Sequence, residues 1–478
     1  MKLHQLKSIH FVGIGGAGVC GLARMALQAG VKVSGSDKSP SAVTESLAAA
    51  GAEVSADHCA DNVPADAQLV VITAAVKADN PEVVEARRRG MRVLKYAEAL
   101  GEFTRGLTNL CVCGTHGKTS TTAMLAQVLR AAGKENGWLV GGEPASLPAS
   151  SEWGKGRLFA MDSCEYDRSF LKLSPSVVIL NNIELDHMDV YGDLEGVTRG
   201  FQEFVALLPE SGTLIYNADD PRCRQVAQGA RCRKVSYGTG PYADWKLEDL
   251  RADDGFARAR ISFRGMAMGE MRLSVPGRVY AMNALAAVAA ANWAGVAAGR
   301  ALSALRDYTG VKRRFEILGS VGGVPLVDDY AHHPTAVQQL LEAARAAYAG
   351  RRLLAVFQAH QYQRLNTFMT EFQEALALAD RVLVARTYAA REQGIVPGEP
   401  EDRLVRGLRS RGTDAMAYSD FSSIVNDLSL KASPRDALLF IGAGDVNLIA
   451  RELLDRRKYI SDRLRAIQRT DVVAGAPV

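Results

Sequence analysis

Leu110-Cys111-Val112-Cys113-Gly114-Thr115-His116-Gly117-Lys118-Thr119-Ser120-Thr121-Thr122 is the stretch from which the rest of the chain can be read. A short apolar run ends in a glycine-bounded loop, and a helical pattern follows. Strand, glycine loop and helix start are the parts that hold a nucleoside triphosphate. Glycines let backbone N–H groups approach phosphate oxygens, and the helix N-terminus adds favourable partial charge. At this spacing Lys118 reaches the β and γ phosphates and the Thr119 hydroxyl is placed to hold Mg²⁺. Gly114, Thr115, His116, Gly117 and Ser120 complete the expected ATP loop. It is shorter than the general G-x-x-x-x-G-K-[ST] pattern, because Val112 stands where that pattern has its first glycine.

Around this loop the chain alternates strands and helices almost throughout, which predicts α/β layers with mostly parallel sheets. Strands are expected at Ile9–Val12, Val31–Ser34, Leu69–Ile72 and Arg92–Leu94 in the first part. Leu158–Met161, Val177–Leu180 and Thr213–Tyr216 follow the phosphate loop. The last part has Val324–Asp328, Leu353–Phe357, Val382–Ala385 and Ala437–Ile441. With 478 residues the chain is too long for one core, and boundaries near 106 and 312 divide it into 1–105, 106–312 and 313–478. The tail beyond Arg456 reads as helical before it frays.

Composition narrows the class. The chain is 47% hydrophobic and 23% charged, which is ordinary for a folded globular protein, and a net charge of +4 is too small to imply nucleic-acid binding. Seven cysteines without C-x-x-C spacing read as free thiols of a reducing cytoplasm. MKLHQLKSIHFVG has no long apolar stretch, so no secretory signal is expected. Residues 279–299 are uncharged and long enough to cross a bilayer, but they are mostly alanine and include Asn283 and Asn292, so a buried helix is expected there.

A second glycine loop, Gly13-Ile14-Gly15-Gly16-Ala17-Gly18, also follows a strand and opens a helix, and Asp37 ends the next strand in Ser34-Gly35-Ser36-Asp37. Taken alone this G-x-G-x-x-G fits NAD or FAD. Physically it specifies only a pyrophosphate on a helix N-terminus, which a UDP-sugar satisfies equally. A dehydrogenase has no use for an ATP loop, whereas an ATP-driven enzyme acting on a nucleotide-linked substrate uses both.

Acidic and histidine residues gather at strand ends, where open α/β sheets bind ligands. They are Met161-Asp162-Ser163-Cys164-Glu165-Tyr166-Asp167 and Asn181-Asn182-Ile183-Glu184-Leu185-Asp186-His187-Met188-Asp189. Asp162 and His187 can therefore meet Thr119 around Mg²⁺, although magnesium prefers oxygen donors. Later come Arg313-Arg314-Phe315-Glu316, Asp328-Asp329-Tyr330-Ala331-His332-His333-Pro334-Thr335 and Phe357-Gln358-Ala359-His360-Gln361-Tyr362-Gln363-Arg364. Adjacent histidines on an extended segment point opposite ways, so hydrogen-bond roles are expected rather than a joint metal site. Arg313 or Arg314 is expected to compensate the Asp pair.

Together these residues resemble the Mur ligases, over nearly the whole chain from about His10 to Leu454. The resemblance is to the branch that joins L-alanine to UDP-N-acetylmuramate. It rests on FVGIGGAGVCGLA, SGSD, Thr73-Ala74-Ala75-Val76 followed by Asn80-Pro81-Glu82, GTHGKTSTTAM, NNIELDHMDVYGD, NADDP, RRFE, DDYAHHPT, FQAH and GAGDVN, all in order. It implies a central P-loop ATPase domain between two Rossmann-like domains, the last of which closes for catalysis. The implied chemistry is phosphorylation of the lactyl carboxylate of UDP-N-acetylmuramate by ATP, then attack by L-alanine on the acyl phosphate, in cytoplasmic peptidoglycan precursor synthesis. The implied cofactors are ATP and Mg²⁺, and the implied state is a monomer or weak homodimer with no membrane or nucleic-acid partner. The implied catalytic residues are Lys118, His187, Arg314 and His332, with Asn283, Arg314 and Asp329 joining the loop at ATP. Gly13, Gly15, Gly16, Ala17, Gly18, Ser36, Asp37, Thr73 and Ala74 would bind the UDP substrate. His332, His360 and Arg364 would bind the amino acid, and Thr119, Asp162 and His187 the metal.

Three positions depart from that pattern. Asp162 stands where the family has glutamate. Only Asn283 remains of two asparagines at the adenine, with Tyr280 nearby. Gln361 replaces an arginine. The same chemistry on another amino acid or peptide, and a catalytically weakened UDP-sugar and ATP binding paralogue, are the alternatives these departures leave open.

Overall fold

The computed structural model describes residues 2–456 except 40, 74, 254–255, 391 and 393–397. The described residues form two compact units: those within 2–274 with 279–311, and those within 275–278 with 312–456.

The first unit carries two sheets. One has five parallel strands in the order Glu53–Ser55, Lys32–Ser36, Ser8–Val12, Leu69–Ile72, Arg92–Lys95. The order reverses at Ser8–Val12, which puts the first glycine loop at a topological switch point. The second sheet has ten strands. Its centre is Thr108–Cys113, flanked by Val177–Leu180 and Leu158–Asp162, all parallel. Leu110 to Cys113 are completely buried, which explains why that strand reads as an apolar run without alternation. The helix Lys118–Ala131 after the loop has ten buried residues out of fourteen. Packing on nearly all sides, rather than one amphipathic stripe, holds it.

Beyond Thr213–Asn217 and Arg233–Gly238 this sheet continues into an antiparallel meander of Trp245–Asp253, Phe256–Phe263 and Met266–Leu273. None of these three strands was expected from the sequence. Most of the uncharged segment at 279–299 lies in the largely buried helix Arg278–Trp293, and a second helix starts at Ala298; among the described residues no helix is long and apolar enough to cross a membrane.

The second unit is a six-stranded sheet ordered Glu316–Val321, Val324–Asp329, Asp436–Ile441, Arg352–Phe357, Arg381–Val384, Asp414–Ala417. All its pairings are parallel except the first hairpin. The strand ends at Asp329, Phe357 and Ile441 are in register, so the segments that follow them emerge at one edge.

Candidate functional site

The phosphate loop is held from the side by the chain after Val177–Leu180. Thr115 N–H donates to the Asn182 carbonyl (3.0 Å) and His116 N–H to Asn182 Oδ1 (2.7 Å). The Thr115 hydroxyl is spent on Glu184, accepting its N–H at 2.9 Å, while the His116 ring lies 3.3 Å from Glu184 Oε2. Ser120 is buried at the start of the helix. Gly114 and Gly117 have φ of +131° and +79°, and a Cβ on Gly117 would sit 2.5 Å from Asn283 Oδ1. The turn thus demands glycine twice over, and Asn283, from a helix more than 160 residues downstream, lies directly against it.

Lys118 is nearly enclosed. Its ammonium donates to the carbonyls of Gly114 and Thr115 and forms an ion pair with Glu165 at 2.9 Å. Burial by itself would lower the lysine pKa, but Glu165, with Cys164 and Asp162, more than reverses this and raises it. Glu165 is itself buried, and its other close neighbour is His187, whose Nε2 lies 3.7 Å from Oε1. His187 sits at φ +51°, ψ +48°, a left-handed conformation that costs a non-glycine residue energy and clusters at functional sites. Tyr191, three residues beyond the next turn's start, anchors the same strand end by donating to the Glu165 carbonyl at 2.7 Å.

Thr119 and Asp162 meet: the hydroxyl donates to Oδ2 at 2.7 Å and Gly141 N–H donates to the same oxygen at 2.9 Å. Burial raises the Asp162 carboxyl above its usual range against these hydrogen bonds. Its other oxygen, Oδ1, is buried with no hydrogen-bond partner. An orphaned carboxylate oxygen beside a threonine hydroxyl suits a hard cation that takes oxygen ligands. His187 pairs with Glu165 and Asp186 rather than with Asp162, so Glu165 is what links it to the loop. Glu165 is the functional candidate that sequence reasoning left at the margin; its signal was only its position three residues beyond Asp162.

In the first glycine loop, Gly13 and Ile14 N–H donate to the Ser36 carbonyl at 2.8 and 3.0 Å. Gly15 N–H donates to Asp37 Oδ2 at 2.9 Å. Thr73 lies against Gly13 and Gly16, and the Tyr96 ring lies against Gly18. Ala17 opens the helix Ala17–Gln28. The Ser36 side chain is fully buried and turned inward, so only its backbone faces the loop. Ala74 lies outside the described residues.

In the second unit Arg313 reaches Asp328 (3.4 Å) and thereby fills the compensating role expected of the arginine pair. Burial pushes the Asp328 carboxyl up to about 7, against the pull of Arg313. Asp329 accepts from Phe315 N–H (2.7 Å) and Ala331 N–H (2.8 Å) and so ties the Arg313-Arg314 turn to the Tyr330 turn. Arg314 lies over the Tyr330 ring, 4.8 Å from its centre. The two histidines diverge: the His332 ring is 5.9 Å from His360, and that of His333 is 4.9 Å from Phe368. Arg364 is buried and donates to the His360 carbonyl at 2.9 Å. His332, His360 and Arg364 therefore form one cluster. Gln361 joins it in a strained backbone conformation, φ +76°. Tyr280 is only 7% exposed, which leaves little ring face for stacking on a base.

Three family models match in order: Mur ligase family, catalytic domain, at residues 8–107; Mur ligase middle domain at 112–291; and Mur ligase, glutamate ligase domain at 313–444. The chain is 41% identical to the UDP-N-acetylmuramate–L-alanine ligase of Renibacterium salmoninarum, over 95% of this chain and 97% of that protein. It is 37% identical to the ligase of the same name from Syntrophus aciditrophicus, over 96% and 95%. Among solved structures it is similar to UDP-N-acetylmuramate–alanine ligase from Thermotoga maritima, with TM-score 0.80, 29% identity and coverage of 95% and 99%. It is also similar to a murein peptide ligase from Psychrobacter arcticus, with TM-score 0.69, 26% identity and coverage of 94% and 98%.

Proposed function

The chain belongs to the Mur ligase family, and we propose that it carries out the reaction for which its relatives are named, the joining of L-alanine to UDP-N-acetylmuramate. It is an ATP-dependent carbon–nitrogen ligase of peptidoglycan precursor synthesis. A lactyl carboxylate oxygen attacks the γ-phosphorus, ADP leaves, and an acyl phosphate forms. The amine of L-alanine adds to the acyl carbon, loses a proton, and expels phosphate, which carries away one original carboxylate oxygen.

The observation that supports this most is the convergence of Lys118, Glu165 and His187 with Thr119 and Asp162 at adjacent strand ends. Lys118 spreads positive charge over the phosphoryl group in transfer, where such stabilisation is worth most. Glu165 keeps the ammonium aimed at the loop, and His187 keeps Glu165 in place. The N–H groups of the helix Lys118–Ala131 face the phosphates, and Asn283 borders the nucleotide. Thr119 and Asp162, with His187 behind Glu165, would hold Mg²⁺, which when bound neutralises phosphate charge. Gly13, Gly15, Gly16, Ala17, Gly18, Asp37 and Thr73 bind the UDP half, with Ser36 contributing through its backbone. Arg314 and Asp329 serve ATP, and His332, His360 and Arg364 position the amino acid.

The division 1–105, 106–312 and 313–478 and a cytoplasmic monomer or weak homodimer belong to the same reading. A second reading keeps the chemistry and changes the acceptor to another amino acid or a peptide. Gln361 favours it, because an amide cannot grip a carboxylate bidentately as arginine does.

Heavy-oxygen label in the lactyl carboxylate tests the route. One label in released phosphate and one in the product amide is the expected outcome. Phosphate free of label overturns the acyl phosphate.

A further inference from the structure

Beneath the first glycine loop lies a carboxylate that no step above uses. Glu82, in the first turn of the helix Pro81–Arg88, is completely buried. Four polar side chains from separate segments face it. Ser36 donates to Oε2 at 2.6 Å, and His58 Nδ1 lies 3.1 Å from the same oxygen. Asn62 donates to Oε1 at 2.9 Å, and His10 Nε2 lies 3.6 Å from it. Burial would raise the carboxyl pKa, but these partners outweigh it and hold it below the usual range. The group is ionised and can only accept.

The protons in this cluster can be counted. A serine hydroxyl has one proton, and that of Ser36 goes to Glu82. Ser36 Oγ is therefore an acceptor toward His58 Nδ1, 2.8 Å away. Both neighbours of Nδ1 accept, so Nδ1 carries a proton, and in the singly protonated ring Nε2 holds the lone pair. His58 Nε2 has no partner among the described residues, and the side chain is 13% exposed. The same Ser36 supplies the carbonyl that fixes Gly13 and Ile14, and the next residue, Asp37, fixes Gly15. The ring thus sits at the strand ends where the loop begins.

We propose that Glu82 is a positioning residue for the UDP-linked substrate: it fixes the Nδ1-protonated tautomer of His58, so that Nε2 accepts a hydrogen bond from the uridine half, an imide N–H or a ribose hydroxyl. This rests on the reading of the first glycine loop as the UDP-substrate loop. In the sequence Glu82 stood out only as part of Asn80-Pro81-Glu82 and His58 not at all, because Ser36, His58 and Glu82 meet only through the strand order around Ser8–Val12.

Two measurements decide it. A long-range proton–nitrogen spectrum of the full-length wild type should show His58 protonated at Nδ1; a proton on Nε2 overturns the inference and needs no variant to fold. In steady-state kinetics, His58→Phe and Glu82→Gln should each raise KM for UDP-N-acetylmuramate about tenfold, the loss of roughly one good hydrogen bond. KM for ATP and L-alanine should stay within about twofold, since both are bound elsewhere. The double variant should be no worse than His58→Phe, because Glu82 acts through His58. An unchanged KM in His58→Phe, or additive losses in the double variant, overturns it. A wild type that neither binds nor converts UDP-N-acetylmuramate would instead sink the functional reading, and the spectrum would still report the tautomer.

Discussion

Gly117→Ala is the perturbation whose cost can be worked most directly from the structure. Gly117 has φ of +79°, and an added Cβ would lie 2.5 Å from Asn283 Oδ1 and 3.1 Å from Asn181 Nδ2. Left-handed backbone costs an L-residue about 1–2 kcal/mol. The Cβ would be about 0.8 Å inside an ordinary carbon–oxygen contact of about 3.3 Å, and relieving such overpacking costs about 1–3 kcal/mol. Gly133→Ala, at the other end of the same helix, isolates the two terms. Its φ is +71° and nothing lies within 4 Å of its Cβ, so only the backbone term applies. Urea unfolding should give a loss of about 1 kcal/mol for Gly133→Ala and about 2–4 kcal/mol for Gly117→Ala. Because the displaced group is Asn283 beside the loop, Gly117→Ala should also raise KM for ATP at least tenfold while Gly133→Ala leaves it unchanged. Equal destabilisation by the two substitutions, with KM for ATP unmoved in Gly117→Ala, would refute both the geometry and the assignment of this turn to ATP.

Lys118→Ala should lower kcat by about 10²–10³-fold, the usual scale for removing a charge that stabilises the transition state, while calorimetry shows UDP-N-acetylmuramate still bound. Asp162→Asn should raise the Mg²⁺ concentration for half-maximal phosphate release about tenfold without changing KM for the UDP substrate, since it alters the carboxylate that meets the Thr119 hydroxyl and keeps a buried oxygen without a hydrogen-bond partner. Asp328, raised to about 7 in the fold from about 3.9 unfolded, binds its proton more readily folded than unfolded. The second unit should therefore lose stability as pH rises from about 4 to about 7, by at most about 4 kcal/mol, and level off above. Asp328→Asn should flatten that slope in a urea series across pH; a slope unchanged in the variant places its origin elsewhere.

What was legible in the sequence was local. Apolar strands ending in glycine loops or acidic residues announce themselves within a dozen residues, so the parallel strands at the centres of all three sheets and the two glycine loops that follow strands were readable. The meander at Trp245–Leu273 was not. Its last two strands, Phe256–Phe263 and Met266–Leu273, carry mixed charged and apolar residues around a register shift between Ile261 and Ser262, which blurs a period of two. The hairpin strand Glu316–Val321 is only half-buried, and gave little apolar signal. In the site, the partners of Thr119 were readable as a set but not as pairs. His187 was expected with Asp162 and Thr119 around Mg²⁺; the partner the sequence did not pair with it is Glu165, 3.7 Å from its ring, and its left-handed backbone is a feature no residue pattern records. The Ser36, His58 and Glu82 cluster escaped for a related reason: it needs the crossover connections between strands before its members become neighbours.

The most direct test of the ligase assignment is phosphate release from ATP with UDP-N-acetylmuramate and Mg²⁺, run with L-alanine, glycine, L-serine and no amino acid. Release that requires L-alanine, with product mass showing the new amide, is the expected result. Release with a different amino acid alone would contradict the acceptor assignment, and no release with any of them, despite tight binding of the UDP substrate, would contradict the enzyme itself.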